Sequence, residues 1–152
     1  KKAIDEFQTF REYYPTNEQA EDADAKIMEL NTRLAKKAYD TAQLYETMEY
    51  YKASIFYYDD IIEKYHDTPY APLAYLGKAE VLITRKRYEE ARTTLQKFND
   101  RFPDSVLKSR ADKLKEQIDR EIKGSTKVTG TSGNVVGNPN TGSLNQEQRI
   151  SR

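Results

Sequence analysis

The sequence predicts an all-α fold built as a solenoid of helical hairpins, with one long spacer helix and a disordered C-terminal tail. Three observations lead to this prediction. A pattern of small and apolar residues occurs three times, an uninterrupted helical segment separates the first two copies, and the composition changes abruptly after residue 123.

The repeated pattern starts at a small residue, and aromatic or aliphatic side chains follow four, seven and eleven positions later. Spacings of three and four place these side chains on one face of a helix, and the small residue lets a second helix approach closely. A helical-hairpin repeat of this kind functions by presenting a surface to other proteins. The three copies are Ala3-Phe7-Phe10-Tyr14, Ser54-Tyr58-Ile61-Tyr65 and Ala91-Leu95-Phe98-Phe102.

Six helices follow from the apolar spacing and the turn residues, at about 1–13, 18–48, 51–64, 69–85, 88–101 and 105–123. Asn17, Thr68 and Ser105 are residue types that cap helix N-termini, and each stands three residues after the last aromatic of a copy. They are expected to begin the second, fourth and sixth helices.

The second helix contains no glycine or proline between Glu18 and Met48. Copies two and three are 37 residues apart, whereas copies one and two are 51 apart, and the extra 14 residues are close to four helical turns. The insertion therefore lengthens the helix while its apolar face keeps its direction. That face includes Leu30 and Leu34, which we expect to be buried against neighbouring repeats.

The two ends of the chain differ in character. Lys1 leads directly into what reads as the second helix of a repeat, so we expect residues 1–123 to be the C-terminal repeat region of a longer protein. Residues 124–152 contain five of the six glycines among Ser, Thr and Asn. This composition predicts a flexible tail, because it offers too little apolar surface to offset the entropy of ordering.

Composition argues against several classes of function. The 25 basic and 25 acidic residues cancel, which gives no field that would attract nucleic acid, and there is no cysteine for a disulfide or a zinc-thiolate site. His66 is the single histidine and occupies a position between helices. Acidic pairs such as Asp59-Asp60 and Glu89-Glu90 are typical of a solvated helix face, and adjacent helical residues do not face each other. We expect no enzyme activity, no catalytic residue, no metal site and no cofactor.

One basic cluster lies at a structurally defined position, the turn between the fourth and fifth predicted helices. It consists of Arg85, Lys86 and Arg87. Cations at a helix C-terminus are favoured by the helix dipole, which explains the cluster without a ligand. Docking on an acidic protein surface is the functional alternative.

The repeats are similar to tetratricopeptide repeats in their small, tyrosine, aromatic and proline positions. The segments Tyr14-Pro15-Thr16-Asn17 and Phe102-Pro103-Asp104-Ser105 resemble the aromatic-Pro-Asp-Ser signature of periplasmic repeat lipoproteins. The long helix, with Arg33-Leu34-Ala35-Lys36-Lys37-Ala38-Tyr39, resembles the BamD family, also called YfiO or ComL. The fold is therefore expected to be a tetratricopeptide-like helical-hairpin solenoid.

The resemblance implies a non-catalytic scaffold subunit of the outer-membrane β-barrel assembly machine. It would dock on the POTRA domains of the barrel subunit BamA, and possibly on other subunits, at the periplasmic face of the outer membrane of a Gram-negative-type bacterium. The lipid anchor would lie upstream, and the repeats themselves would neither span the membrane nor bind nucleic acid. The contacts that family members make with their protein partner map near the second helical hairpin. In this sequence the large amphipathic side chains there are Tyr50 and Tyr57. With Arg85, Lys86 and Arg87 they are the expected partner-binding residues.

Two other functions remain open from the sequence. One is another periplasmic tetratricopeptide-repeat protein, which would coordinate cell-envelope or peptidoglycan synthesis. The other is a co-chaperone whose groove clamps a peptide carboxylate. The clamp needs asparagines inside the repeat helices, and Asn31 and Asn99 are not in suitable positions, since one is on the spacer helix and the other is near a helix end.

Overall fold

The computed structural model describes residues 1–14 and 19–129, and within these ranges it contains six helices and no strand. The predicted all-α class is confirmed. Two of the helices, α3 and α5, have the bounds that the sequence predicts. The helices are α1 Lys2–Tyr13, α2 Gln19–Thr47, α3 Tyr51–Lys64, α4 Tyr70–Thr84, α5 Tyr88–Arg101 and α6 Lys108–Thr129.

The helices are arranged in two layers. Each helix packs against the next one along the chain, and in addition α2 packs against α4 and α4 against α6. The even-numbered helices therefore form one layer, and the odd-numbered helices form a second layer that packs against it. This is the predicted solenoid of hairpins, in which each unit contacts mainly its neighbours.

The core forms where small residues lie between packed helices, whereas Ala3, which begins the first repeat copy, is exposed. Ala42, Ser54, Ala79, Ala91 and Ala111 are all fully buried, because a short side chain lets the facing helix come close. Larger repeat residues fill the space between the layers. The larger side chains that are buried completely or almost completely are Tyr58, Ile61, Leu76, Val81, Leu82, Leu95, Phe98 and Ile118.

The burial prediction for the long helix is only partly correct. Ala35, Ala38 and Ala42 are buried, but Leu30 and Leu34 are half-buried. The reason is length: at about 1.5 Å per residue α2 extends for roughly 44 Å, whereas α3 covers only about 21 Å. Among the described helices α1 contacts only α2, and it has no buried residue of its own.

The predicted capping residues behave differently from expectation. Thr68 is buried, and its hydroxyl donates to the carbonyl of Tyr65 at 2.7 Å, so it closes the end of α3 rather than opening α4. Ser105 forms a turn ahead of α6, in which its Oγ accepts from the amide of Leu107 at 3.2 Å. The third predicted cap, Asn17, lies outside the described residues.

The last helix is longer than predicted. It continues to Thr129, so the first six residues assigned to the tail are helical. Gly124 is compatible with this because a glycine costs a helix only about 1 kcal/mol and no proline occurs between Gly124 and Pro139. The remainder of the predicted tail, residues 130–152, lies outside the part that the structure describes.

Candidate protein-binding surface

Two inter-helix turns lie 37 positions apart and have the same backbone geometry. The turn from α2 to α3 places Glu49 at φ 59°, and the turn from α4 to α5 places Lys86 at φ 57°. In each turn the next amide, of Tyr50 or Arg87, donates to the carbonyl five residues earlier at 2.8 Å. Both turns are therefore helix C-caps with one left-handed residue, and they present their side chains at the same edge of the solenoid.

A groove joins these two turns. Its volume is about 400 Å³, and the guanidinium carbon of Arg85 lies 5.6 Å from the centre of the Tyr51 ring. This cation–π contact holds the basic side chain beside the aromatic turn. The residues that line the groove are Tyr45, Glu49, Tyr50, Tyr51, Lys52, Ala53 and Arg85.

Aromatic side chains continue from this groove along α3. The rings of Tyr45 and Tyr57 are stacked, with centroids 5.6 Å apart and planes at 14°. Tyr50 lies edge-on to Tyr45, and Phe56 lies edge-on to Tyr57. Tyr50 is 59% exposed and Phe56 is 65% exposed. We call Tyr45, Tyr50, Phe56, Tyr57 and Arg85 the turn patch.

Further exposed apolar side chains lie beside the turn patch. Leu44 and Met48 are four residues apart at the end of α2, and both are more than half exposed. Large apolar side chains grouped at the surface are typical of protein interaction sites. The turn patch and its surroundings are thus the best candidate for a docking surface.

The structure brings together some of the partner-binding residues expected from the sequence. Tyr50 and Arg85 line the same groove, and Tyr57 is joined to it through Tyr45. The basic turn is not uniform. Lys86 makes no ion pair with any described residue, whereas Arg87 binds Glu90 at 2.5 Å. This hydrogen bond raises the pKa of Arg87 and pairs its charge with a carboxylate.

Sequence reasoning missed two members of the turn patch. Phe56 falls outside the apolar register of α3, which runs through Tyr58 and Ile61, and an aromatic residue off that register is a signal of surface exposure. Tyr45 lies near the C-terminal end of the long helix α2. The structure shows that it is half-buried and supports the rings on either side of it.

A second groove lies on the layer of even-numbered helices. Its volume is about 430 Å³, and α2, α3, α4 and α6 all contribute to it. Within it the Tyr58 hydroxyl donates to Oε2 of Glu46 at 3.0 Å, and Arg110 binds both carboxylate oxygens of Glu80 at 2.7 and 2.9 Å. Burial raises the pKa of Tyr58, and the neighbouring Glu46 raises it further. We call this the inner groove.

The acidic pairs noted in the sequence are compensated by cations. Asp59 binds Lys78 at 2.5 Å, and Asp60 binds Lys64. Among the described residues no group of three or more His, Asp or Glu side chains is placed to hold a metal ion. His66 lies between α3 and α4, where its Nε2 is 3.2 Å from Asp67.

None of the helices in the described ranges has an apolar stretch long enough to cross a lipid bilayer. The comparisons with known families agree with a role in protein binding. A tetratricopeptide repeat model matches residues 73–105, which cover most of α4, all of α5 and the turn that follows. No curated protein sequence matches the chain significantly.

The model of the YfiO family, described as an outer membrane lipoprotein, matches residues 1–84. This segment contains α1 to α4 and therefore the long helix, the α2–α3 turn and all of the turn patch except Arg85. Tetratricopeptide repeats mediate protein–protein interaction, and both families consist of non-catalytic scaffold or adaptor proteins. The chain belongs to the YfiO family of outer membrane lipoproteins.

Proposed function

We propose that this chain is a scaffold subunit of the outer-membrane β-barrel assembly machine, and that its turn patch docks on the POTRA region of the barrel subunit BamA. It would do so at the periplasmic face of the outer membrane. The observation that carries the proposal is the joined set of exposed aromatic rings and basic side chains at the two hairpin turns, within a chain of the YfiO family.

The aromatic members of the turn patch suit an interface. Tyr50 and Phe56 each offer a large ring that becomes desolvated on docking, and such rings supply much of the affinity of protein interfaces. The rings are held in place before binding, because Tyr50 and Phe56 contact the stacked pair of Tyr45 and Tyr57. Less side-chain entropy is therefore lost on association.

The charges near the turn patch favour an acidic partner. Lys52, Arg85 and Lys86 lie at the groove and the adjoining turn, and among the described residues Glu49 is the one acidic side chain that lines the groove. Complementary charge speeds encounter and fixes orientation more than it adds affinity. We therefore assign affinity to the rings and association rate to the cations.

The test measures the binding of purified POTRA domains to the chain by calorimetry. The double variant Tyr50→Ala, Phe56→Ala should weaken binding by at least about tenfold, since each exposed ring can contribute more than 1 kcal/mol. Tyr57→Ala is a poorer choice, because loss of its stack on Tyr45 also destabilises the fold. Tyr13→Ala is the matched control, as Tyr13 is 76% exposed on α1 and outside the turn patch.

Unchanged affinity in the double variant would place the interface elsewhere on the solenoid. If the wild-type chain bound no POTRA domain, the alternative function in coordinating cell-envelope or peptidoglycan synthesis would be favoured instead.

A further inference from the structure

We propose that the inner groove binds an extended peptide segment that carries a lysine or arginine side chain, with Glu46 as the anchor of that cation. This is a second binding site, which shares Tyr51 with the groove at the turns but contains none of the turn-patch residues, and it does not depend on docking to a POTRA domain. A volume of about 430 Å³ lies within the range of roughly 300–1,000 Å³ that is typical of ligand pockets.

The charges that line the inner groove select a cation. In the part of the chain that the structure describes, three charged side chains line it: two carboxylates, Glu46 and Glu80, and one guanidinium, Arg110. Arg110 is engaged by Glu80 through three hydrogen bonds of 2.7 to 3.0 Å, so it offers little charge to a ligand. The lining therefore carries one net negative charge, and the charge that is not compensated belongs to Glu46.

Glu46 is half-buried and makes no ion pair with any described residue. Its Oε2 accepts the hydroxyl of Tyr58 at 3.0 Å, which leaves Oε1 available to a ligand. A partly desolvated carboxylate gains more from a charge-assisted hydrogen bond than an exposed one does. An ammonium or guanidinium group of a ligand would supply the missing partner.

The carboxylate is also held in orientation before binding. Tyr58 is 1% exposed, and its ring reaches the inner groove only because residue 77 is glycine. Tyr58 thus fixes the carboxylate of Glu46, and little rotamer entropy remains to be lost when a ligand binds. Tyr39 adds an aromatic face to the wall, on which the stem of a lysine or the plane of an arginine can pack.

The same arrangement disfavours a peptide carboxylate. A carboxylate clamp requires cations that are not already paired, and the one cation that lines the inner groove is bound to Glu80. The structure thus favours a basic peptide over the acidic terminus that a co-chaperone groove would take.

The test titrates the full chain, followed by amide chemical shifts, with a short acetylated and amidated peptide in which alanine and lysine alternate. Saturable shifts at Gly77 and around Glu46 are expected. Glu46→Gln, which has nearly the same shape, should raise the dissociation constant by about tenfold or more. Glu49→Gln is the matched control, because Glu49 lines the groove at the turns and not the inner groove; its dissociation constant should match the wild type.

Arg110→Gln should change the dissociation constant of the lysine peptide in the opposite direction. It leaves Glu80 without its cation, so the lysine peptide should bind several-fold more tightly, a gain that a misfolded variant could not show. A peptide with glutamate in place of lysine should not bind. Equal binding of the two peptides, absence of saturable shifts, or an unchanged constant in Glu46→Gln would each overturn the proposal.

Discussion

The ring of Tyr58 occupies the space in which a side chain at Gly77 would begin. A Cβ atom built on Gly77 would lie 2.5 Å from Cζ of Tyr58 and 2.7 Å from its hydroxyl oxygen. The absence of a side chain on α4 is therefore what lets a residue of α3 pass between the layers and reach Glu46 on α2. One glycine thus determines both the packing of three helices and the geometry of the inner groove.

Gly77→Ala should lower the free energy of unfolding by about 1–3 kcal/mol, because the added methyl group overlaps a buried ring. This loss opposes the gain of about 1 kcal/mol that alanine normally brings to a helix. Gly124→Ala is the control, since it also lies in a helix but a Cβ there has no neighbour within 4 Å. Urea denaturation should show Gly124→Ala unchanged or slightly stabilised, and equal effects at the two sites would contradict the packing argument.

The half-buried middle of α2 should tolerate changes that the core does not. Leu34→Ala should cost no more than about 1 kcal/mol, whereas Leu82→Ala should cost about 2–5 kcal/mol, because Leu82 is 1% exposed and its removal leaves a cavity. Both losses in the free energy of unfolding are to be measured by denaturant unfolding, with chains that differ from the wild type only at the substituted residue. Similar losses in the two variants would mean that Leu34 belongs to the core after all.

The two left-handed turn residues predict stabilising substitutions. Glu49 and Lys86 have φ values of 59° and 57°, which are unfavourable for any residue with a Cβ. Replacement of either by glycine should raise the free energy of unfolding by about 0.5–1 kcal/mol. Lys97→Gly, at an exposed position inside α5, should instead lower it by about the same amount. Thermal melts distinguish the two directions, and a loss at either turn would refute the assignment.

The basic turn should control the rate of association rather than its strength. Arg85→Glu with Lys86→Glu should slow binding to an acidic partner and flatten the dependence of the rate on salt. Arg87→Glu should have the smaller effect, since the charge of Arg87 is already paired with Glu90. Stopped-flow measurements at several ionic strengths provide the comparison. An effect of Arg87→Glu that equals, per reversed charge, the effect of the double variant would show that the pair with Glu90 does not persist in solution.

The buried tyrosine predicts a loss of stability at alkaline pH. The pKa of Tyr58 is raised by burial, and in the unfolded chain it returns to the ordinary value of about 10. Above pH 10 the unfolded state therefore loses a proton that the folded state keeps, and the free energy of unfolding falls as pH rises. Tyr58→Phe should be less stable at neutral pH but should show a shallower decline between pH 9 and 11. An identical slope in urea titrations would exclude Tyr58 as the cause.

Much of the fold follows from the sequence because it depends on local periodicity. The apolar spacing located α3 and α5 without error, and Ser54 and Ala91, the small residues that begin copies two and three, are buried. The ends of helices were harder to predict. Thr68 closes one helix rather than opening the next, because its hydroxyl bonds to a carbonyl of the preceding helix end and not to an amide of the following one.

The sequence by itself determined the repeat and the solenoid of helical hairpins, because periodicity and turn residues act over a few positions of the chain. Tertiary structure alone decided which side chains share a surface. It placed Arg85 over Tyr51 and stacked Tyr45 on Tyr57, contacts between residues on different helices. It also left the middle of α2 half-covered and paired Arg110 with Glu80 across 30 positions. These outcomes depend on helix lengths and on the approach of one helix to another, which no local pattern of residue types specifies.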